Sequence, residues 1–202
     1  LDDAGLLYGP RFDGILAKMR SDFDSAANLP PASTAAFADA LVQQGVQQNN
    51  EPAPTTEQEA MTRGAEKLKQ VMDLWMGEAL KSANKPSFDA LPKAIVAPHL
   101  DYSRGWPNYA SAWGRLRVTD RPDRVVILGT NHFGLATGVC GCDKGFQTPL
   151  GTCEADQDLI AAVRRRLGSE NAEKLFKDRY DHEREHSIEL QIPWVQHCLG
   201  AD

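Results

Sequence analysis

A chain of 202 residues with 42% hydrophobic content is long enough to bury one core and a small appendage. Its formal net charge of -6 leaves no dense basic stripe to displace counterions from phosphates, which argues against a dedicated nucleic-acid binder; Arg164, Arg165 and Arg166 read as a solvated helix face. No apolar run approaches the roughly eighteen residues that span a bilayer and no cleavable leader pattern opens the chain, so the expectation is a cytoplasmic protein with no membrane partner.

In chain order, Phe12, Ile15, Leu16, Met19 and Phe23 form one short amphipathic stretch, broken by Asn28-Leu29-Pro30-Pro31. A weaker helical pattern runs from Ser33 to Val42. Gln43 to Pro54 is rich in Gln, Asn and Pro, a composition that buries little surface, and reads as a linker or long loop. Thr56 with Glu59 makes a capping box, and Met61, Ala65, Leu68, Met72, Trp75 and Ala79 follow at three- and four-residue steps until Asn84-Lys85-Pro86. That stripe reads as core packing. The expected division is residues 1–55 as an N-terminal segment and linker, then 56–202 as part of an α/β domain.

Ala94-Ile95-Val96-Ala97 and Val125-Val126-Ile127-Leu128 are continuous apolar runs of strand length, the pattern of strands buried on two faces in a parallel sheet. Between them Tyr109, Ala112, Trp113 and Leu116 recur at helical steps, with Pro107 placed for a first turn. Strand, helix, strand is a βαβ unit. Gly138 to Cys142 reads as a further strand, Thr148-Pro149-Leu150-Gly151 as a turn, and Asp156 as the cap of a helix ending at Gly168. The expected fold class is α/β, with a mainly parallel sheet flanked by helices.

Open parallel sheets bind ligands beyond the carboxyl ends of their strands. The first expected strand runs into Ala97-Pro98-His99, the second into Gly129-Thr130-Asn131-His132. A single loop histidine is more often exposed or hydrogen-bonded than a ligand, whereas two at matching strand ends can face one point. Imidazole suits zinc, iron, copper or nickel, so the pair defines the metal only loosely. Cys140, Cys142, Cys153 and Cys198 are expected to be reduced, and Cys140-Gly141-Cys142 lacks zinc-knuckle spacing.

His182-Glu183-Arg184-Glu185-His186 spells the H-E-x-x-H of zinc proteases. Lys177 to Asp181 before it has almost nothing to bury, and the periodic pattern begins only at Ile188, Ile192, Val195 and Leu199. No helix is therefore expected to span both histidines, with His182 in a loop and His186 near a helix start. A zinc hydrolase is the weakest of the functions considered.

Four segments carry a resemblance: Ala97-Pro98-His99-Leu100-Asp101-Tyr102, Ile127-Leu128-Gly129-Thr130-Asn131-His132, Thr148-Pro149-Leu150-Gly151 and Glu185-His186-Ser187-Ile188-Glu189-Leu190-Gln191-Ile192-Pro193. In order and spacing they resemble the Memo family, which includes the bacterial AmmeMemoRadiSam system protein B. The resemblance implies a fold like the class III extradiol dioxygenases with a metal site at the carboxyl edge of the sheet. His99 and His132 match the family's two histidine ligands, and His186 matches a histidine that moves protons beside the metal as catalytic acid or base. It further implies a divalent metal, iron foremost with copper or zinc as alternatives, and a small-molecule or peptide substrate. Radical SAM and other proteins of the AmmeMemoRadiSam system are the implied partners. A cysteine ligand and an Asp-x-x-His pair would come from a C-terminal half beyond Asp202, so the chain reads as the N-terminal portion of a Memo-like domain. Two features depart from the pattern. The usual Ala-Gly after the first histidine is Leu100-Asp101, and Leu1 to Leu7 looks like the tail of a preceding domain. The expected function is a metal-dependent, dioxygenase-like oxidoreductase; the alternative is a non-catalytic metal- or peptide-binding scaffold.

Overall fold

The computed structural model describes residues 9–85, 87–116 and 121–200; the Leu1–Leu7 tail and Pro86 of the expected helix stop lie outside them. Helix α1 (Pro10–Ser25) carries proline at its amino end, where a missing N–H costs nothing. Strand β1 (Asn28–Leu29) leads into helix α2 (Ser33–Gln48). The polar stretch from Gln43 to Gln48, expected as linker, is thus helical. Gly45 is buried there, and a side chain at its position would meet the Glu51–Lys67 ion pair, so packing against the next helix overrides composition.

Helix α3 (Glu57–Leu80) starts as the capping box requires: the Thr56 side chain accepts from Glu59 N. The Glu59 carboxylate reaches back one residue further than the motif specifies, to Thr55 N at 2.8 Å and the Thr55 hydroxyl at 2.9 Å. Leu68 and Met72 are fully buried as expected and Met76 joins them, while Met61 lies 60% exposed.

Helix α4 (Tyr102–Trp113) begins five residues before the expected start, leaving Pro107 inside it. The cause is Asp101, whose side chain accepts from Arg104 N and defines an earlier amino end. After a 3-10 turn (Gly114–Leu116), strands β2 (Gly145–Thr148) and β3 (Gly151–Cys153) form a hairpin through the expected Thr148–Gly151 turn. With β1 pairing parallel to β2, they make a small mixed three-stranded sheet in a helix-rich structure.

Helix α5 (Gln157–Phe176) is capped by Asp156 as expected; Gly168, in the left-handed region at φ 74°, breaks it where an end was expected, and a second helical run follows. A 3-10 helix (Arg179–Glu183), the short α6 (His186–Glu189) and α7 (Ile192–Leu199) complete the described chain, with Gly200 at φ 65° closing α7.

The core lies where α3, α4 and α7 meet. Trp194 stacks on Tyr109 at 5.8 Å with rings nearly parallel, and Tyr102, Trp113, Leu68 and Met72 close around them. Such aromatic and aliphatic burial contributes about 1.5–3 kcal/mol per side chain, and the Tyr102 hydroxyl is satisfied by donating to Leu190 O at 2.6 Å. A smaller cluster gathers Phe23, Leu29, Phe146 and Ile192, tying α1 and the sheet to α7.

Three strand expectations differ. Residues 94–97, 125–128 and 138–142 form no ladder among the described residues. Residues 94–97 nevertheless alternate, and in 125–128 only Ile127 is covered while Val125 is 41% exposed. Ile95, Ala97 and Ile127 pack on the core, while Val96, Val126 and Leu128 are 94%, 71% and 87% exposed. One face is covered, not the two that the apolar runs suggested, and period-two alternation is what an extended backbone produces.

Candidate metal centre

His99 and His132 follow the two extended apolar stretches, and His186 opens α6. Their rings converge. Centroids lie 4.9 Å apart for His99 and His132, 5.7 Å for His99 and His186, and 4.7 Å for His132 and His186. Each ring offers one nitrogen to a cluster in which all ligand atoms are within 4.8 Å of one another. None of the three is buried. Phe133 stands beside His132 and His186 at 5.8 and 6.0 Å and forms an apolar edge.

The convergence is built by the segment Glu185–Gln191. Glu185 accepts from His132 N at 2.7 Å and contacts His132 Nδ1 at 2.9 Å. The Ser187 hydroxyl donates to Thr130 O at 2.9 Å, two residues before His132. Gln191 Nε2 donates to Pro98 O at 2.7 Å, the carbonyl immediately before His99, and its Oε1 accepts from Trp113 Nε1 at 3.1 Å. Both histidine-bearing stretches are thus pinned by one short element. Gly129 permits that approach, since a Cβ there would collide with the Ser187 hydroxyl and come within 2.7 Å of Ile188 Cγ1.

Glu189 pins the segment itself. Its carboxylate, 4% exposed, accepts from Ala32 N, Ser33 N, Thr34 N and the Thr34 hydroxyl at 2.8–3.1 Å, satisfying the amino end of α2. The 131–136 loop has its own brace: Asp181 accepts from Asn131 Nδ2 at 2.8 Å and Ala136 N at 3.0 Å, while the Asn131 side chain accepts from Gly134 N.

Burial pushes the Glu185 carboxyl up, but hydrogen bonds from His132 N, Ser187 N and the His132 ring outweigh it and hold the group at about 2. It is a carboxylate at neutral pH. Asp101, two residues after His99, is occupied elsewhere. Hydrogen bonds from Arg104 and Ser103 hold it at about 2 at the amino end of α4.

The profile of the Memo-like protein family matches residues 59–201. The chain belongs to the Memo family. A MEMO1 family protein of Desulfurococcus amylolyticus is 34% identical over 140 residues, covering 67% of this chain and 48% of that protein. One from Pyrobaculum arsenaticum is 33% identical over 139 residues, 67% of this chain and 47% of its own. One from Methanopyrus kandleri is 37% identical over 107 residues, 52% of this chain and 36% of its own. The chain thus spans about half the length, or less, of these curated relatives. No solved structure matches.

In this Memo-family chain His182 stands apart from the cluster. It lies in the 3-10 helix with Nε2 3.2 Å from Cys140 O, and no α-helix joins it to His186, so the H-E-x-x-H geometry does not form. None of the four cysteines is in a disulfide among the described residues; Cys140, pushed up to about 11 by burial, donates to Asp178 O at 2.9 Å. Reading from the sequence located the three histidines and missed Glu185, Ser187, Glu189 and Gln191 as the residues that assemble them. A signal was present: a segment whose charged and amide side chains interrupt an otherwise apolar run must either face water or satisfy buried groups.

Proposed function

We propose that this chain carries the metal-binding core of a Memo-type redox enzyme, in which His99 and His132 hold a divalent metal ion, iron foremost, and His186 moves a proton beside it. The observation that carries this reading is the convergence of three imidazole nitrogens within 4.8 Å. Neutral imidazoles are borderline donors suited to iron, copper and zinc. Bound there, a divalent metal with an open position supplies Lewis acidity or activates dioxygen. The remaining work falls to the chain. His186 lies 3.5 Å by Nδ1 from the Glu185 carboxylate and offers a nitrogen within 4.8 Å of one on each of the other two rings, so it can exchange a proton with a substrate oxygen placed between them. Phe133 supplies an apolar wall for a small organic substrate.

The same reading takes 94–97 and 125–128 as parallel strands of a class III extradiol-type α/β sheet, whose other strands come from the rest of a Memo-length chain. Support comes from the alternating burial of 94–97 and from the bare outer side chains Val96, Val126 and Leu128. A cytoplasmic location and radical SAM partners belong to this proposal as well. No described helix is long and apolar enough to cross a membrane.

Metal analysis tests it directly. A Memo-length protein carrying this chain is expected to hold stoichiometric metal that His99→Ala loses, and metal retained in that variant overturns the assignment. His186→Ala is expected to keep the metal and abolish dioxygen consumption with catechol-type substrates; loss of metal instead makes His186 a ligand. Stoichiometric metal with no dioxygen consumption in the unaltered protein would move the reading to a metal- or peptide-binding scaffold.

A further inference from the structure

We infer that Glu185 is a positioning residue that sets the ligand nitrogen of His132: by accepting from the Nδ1–H it leaves Nε2 as the bare lone pair available to a metal. The inference rests on the proposed metal-binding role of that cluster, yet its geometry stands without a metal. A neutral imidazole carries its proton on one nitrogen, and a carboxylate oxygen can only accept. His132 Nδ1 sits 2.9 Å from Glu185 Oε1, which holds only if the proton is on Nδ1. The other nitrogen must then be unprotonated and available to a metal.

Glu185 is not free to swing away. Oε1 also accepts from Ser187 N at 2.9 Å, and Oε2 accepts from His132 N at 2.7 Å, so both oxygens are occupied and the side chain is 7% exposed as a residue. Main chain and ring of His132 are therefore gripped by one carboxylate, which restricts the ring to a single orientation. Glutamine cannot reproduce this. It offers one acceptor oxygen for three donors, and its amide N–H₂ must face either the His132 backbone N–H or the shared position of the ring Nδ1 and Ser187 N–H. If the amide faces the ring, the favoured tautomer reverses and Nε2 acquires the proton. Partners of this kind orient metal-ligating histidines, and their loss lowers metal affinity by about 10- to 100-fold.

The test compares the wild-type protein with Glu185→Gln and Glu185→Asp. Ring ¹⁵N shifts of the metal-free protein, recorded at a pH where the imidazoles are neutral, report the tautomer of each histidine; calorimetric titration with cobalt(II) reports affinity. The expected result is His132 protonated at Nδ1 in wild type, a shift toward Nε2 protonation in Glu185→Gln with about 10- to 100-fold weaker cobalt binding, and partial recovery of both in Glu185→Asp. His132 found with its proton on Nε2 in the wild type overturns the inference without any variant, so a Glu185→Gln protein that fails to fold does not shield it. An Nδ1 tautomer and cobalt affinity both unchanged in a folded Glu185→Gln protein also overturn it. Failure of the metal-binding reading looks different: wild type binds no cobalt, while the His132 tautomer still depends on Glu185.

Discussion

The segment 185–191 and the stretches 94–97 and 125–128 invert what composition suggests. The first is polar and ionisable, yet Glu185, Ser187, Glu189 and Gln191 are all buried and all partnered. The second pair is purely apolar, yet five of its eight residues stand exposed. The comparison teaches that burial here follows hydrogen-bond demand. Two loops ending in histidines and one helix end all need partners, and a polar segment placed inside the structure supplies them. Apolar runs are covered only as far as neighbouring elements reach.

The sharpest way to break this comparison is Glu189→Ala. It would strand the buried Thr34 N–H and hydroxyl, and deprive Ala32 and Ser33 N–H of their acceptor, so a loss of about 3 kcal/mol in denaturant unfolding is expected. A loss below about 0.5 kcal/mol would mean that water serves this helix end equally well. Next comes Gly129→Ala, which forces a methyl against Ser187 and Ile188; overpacking of about 1–3 kcal/mol is expected, together with weaker metal binding as the His132 stretch is displaced.

Acid provides a milder probe of the loop brace. Burial raises the Asp181 carboxyl, but hydrogen bonds from Ala136 N, Asn131 and Leu135 N hold it below its ordinary 3.8. A depressed folded value means that its contribution is complete above that pH and fades as pH falls below it. Asp181→Asn should therefore be less stable than wild type near neutrality, with the gap narrowing in thermal melts taken below about pH 3.8. A gap independent of pH would show that charge plays no part.

The open stretches predict small effects. Val126→Lys and Leu128→Lys should change stability by less than about 0.5 kcal/mol while reducing self-association at high concentration; a loss of several kcal/mol would show those side chains to be covered. His182→Ala should leave metal content unchanged, because its ring faces Cys140 O instead of the cluster.

Much of the local structure was legible from residue order. The Thr56 and Asp156 caps, the Thr148–Gly151 turn, the break at Gly168 and the start of α6 at His186 depend on neighbours a few residues away. His99 and His132 were legible through their positions after apolar runs, and His186 through the resemblance of its segment to the Memo family. Less legible was anything that depended on distant partners. Helix α2 outran its apolar pattern because Gly45 packs beside the Glu51–Lys67 pair, and α4 started early because Asp101 outcompeted Pro107 as its start signal.

Sequence alone determined the family, the histidine candidates and the failure of His182-Glu183-Arg184-Glu185-His186 to form a protease helix, because each is written in spacing along the chain. Tertiary structure alone decided that the three rings meet, that Glu185 grips His132, and that Glu189 ties this region to a helix more than 150 residues earlier. The physical reason is range. Periodicity and capping act over one or two turns, whereas a buried carboxylate takes its partners from wherever the fold brings an unsatisfied N–H within 3 Å.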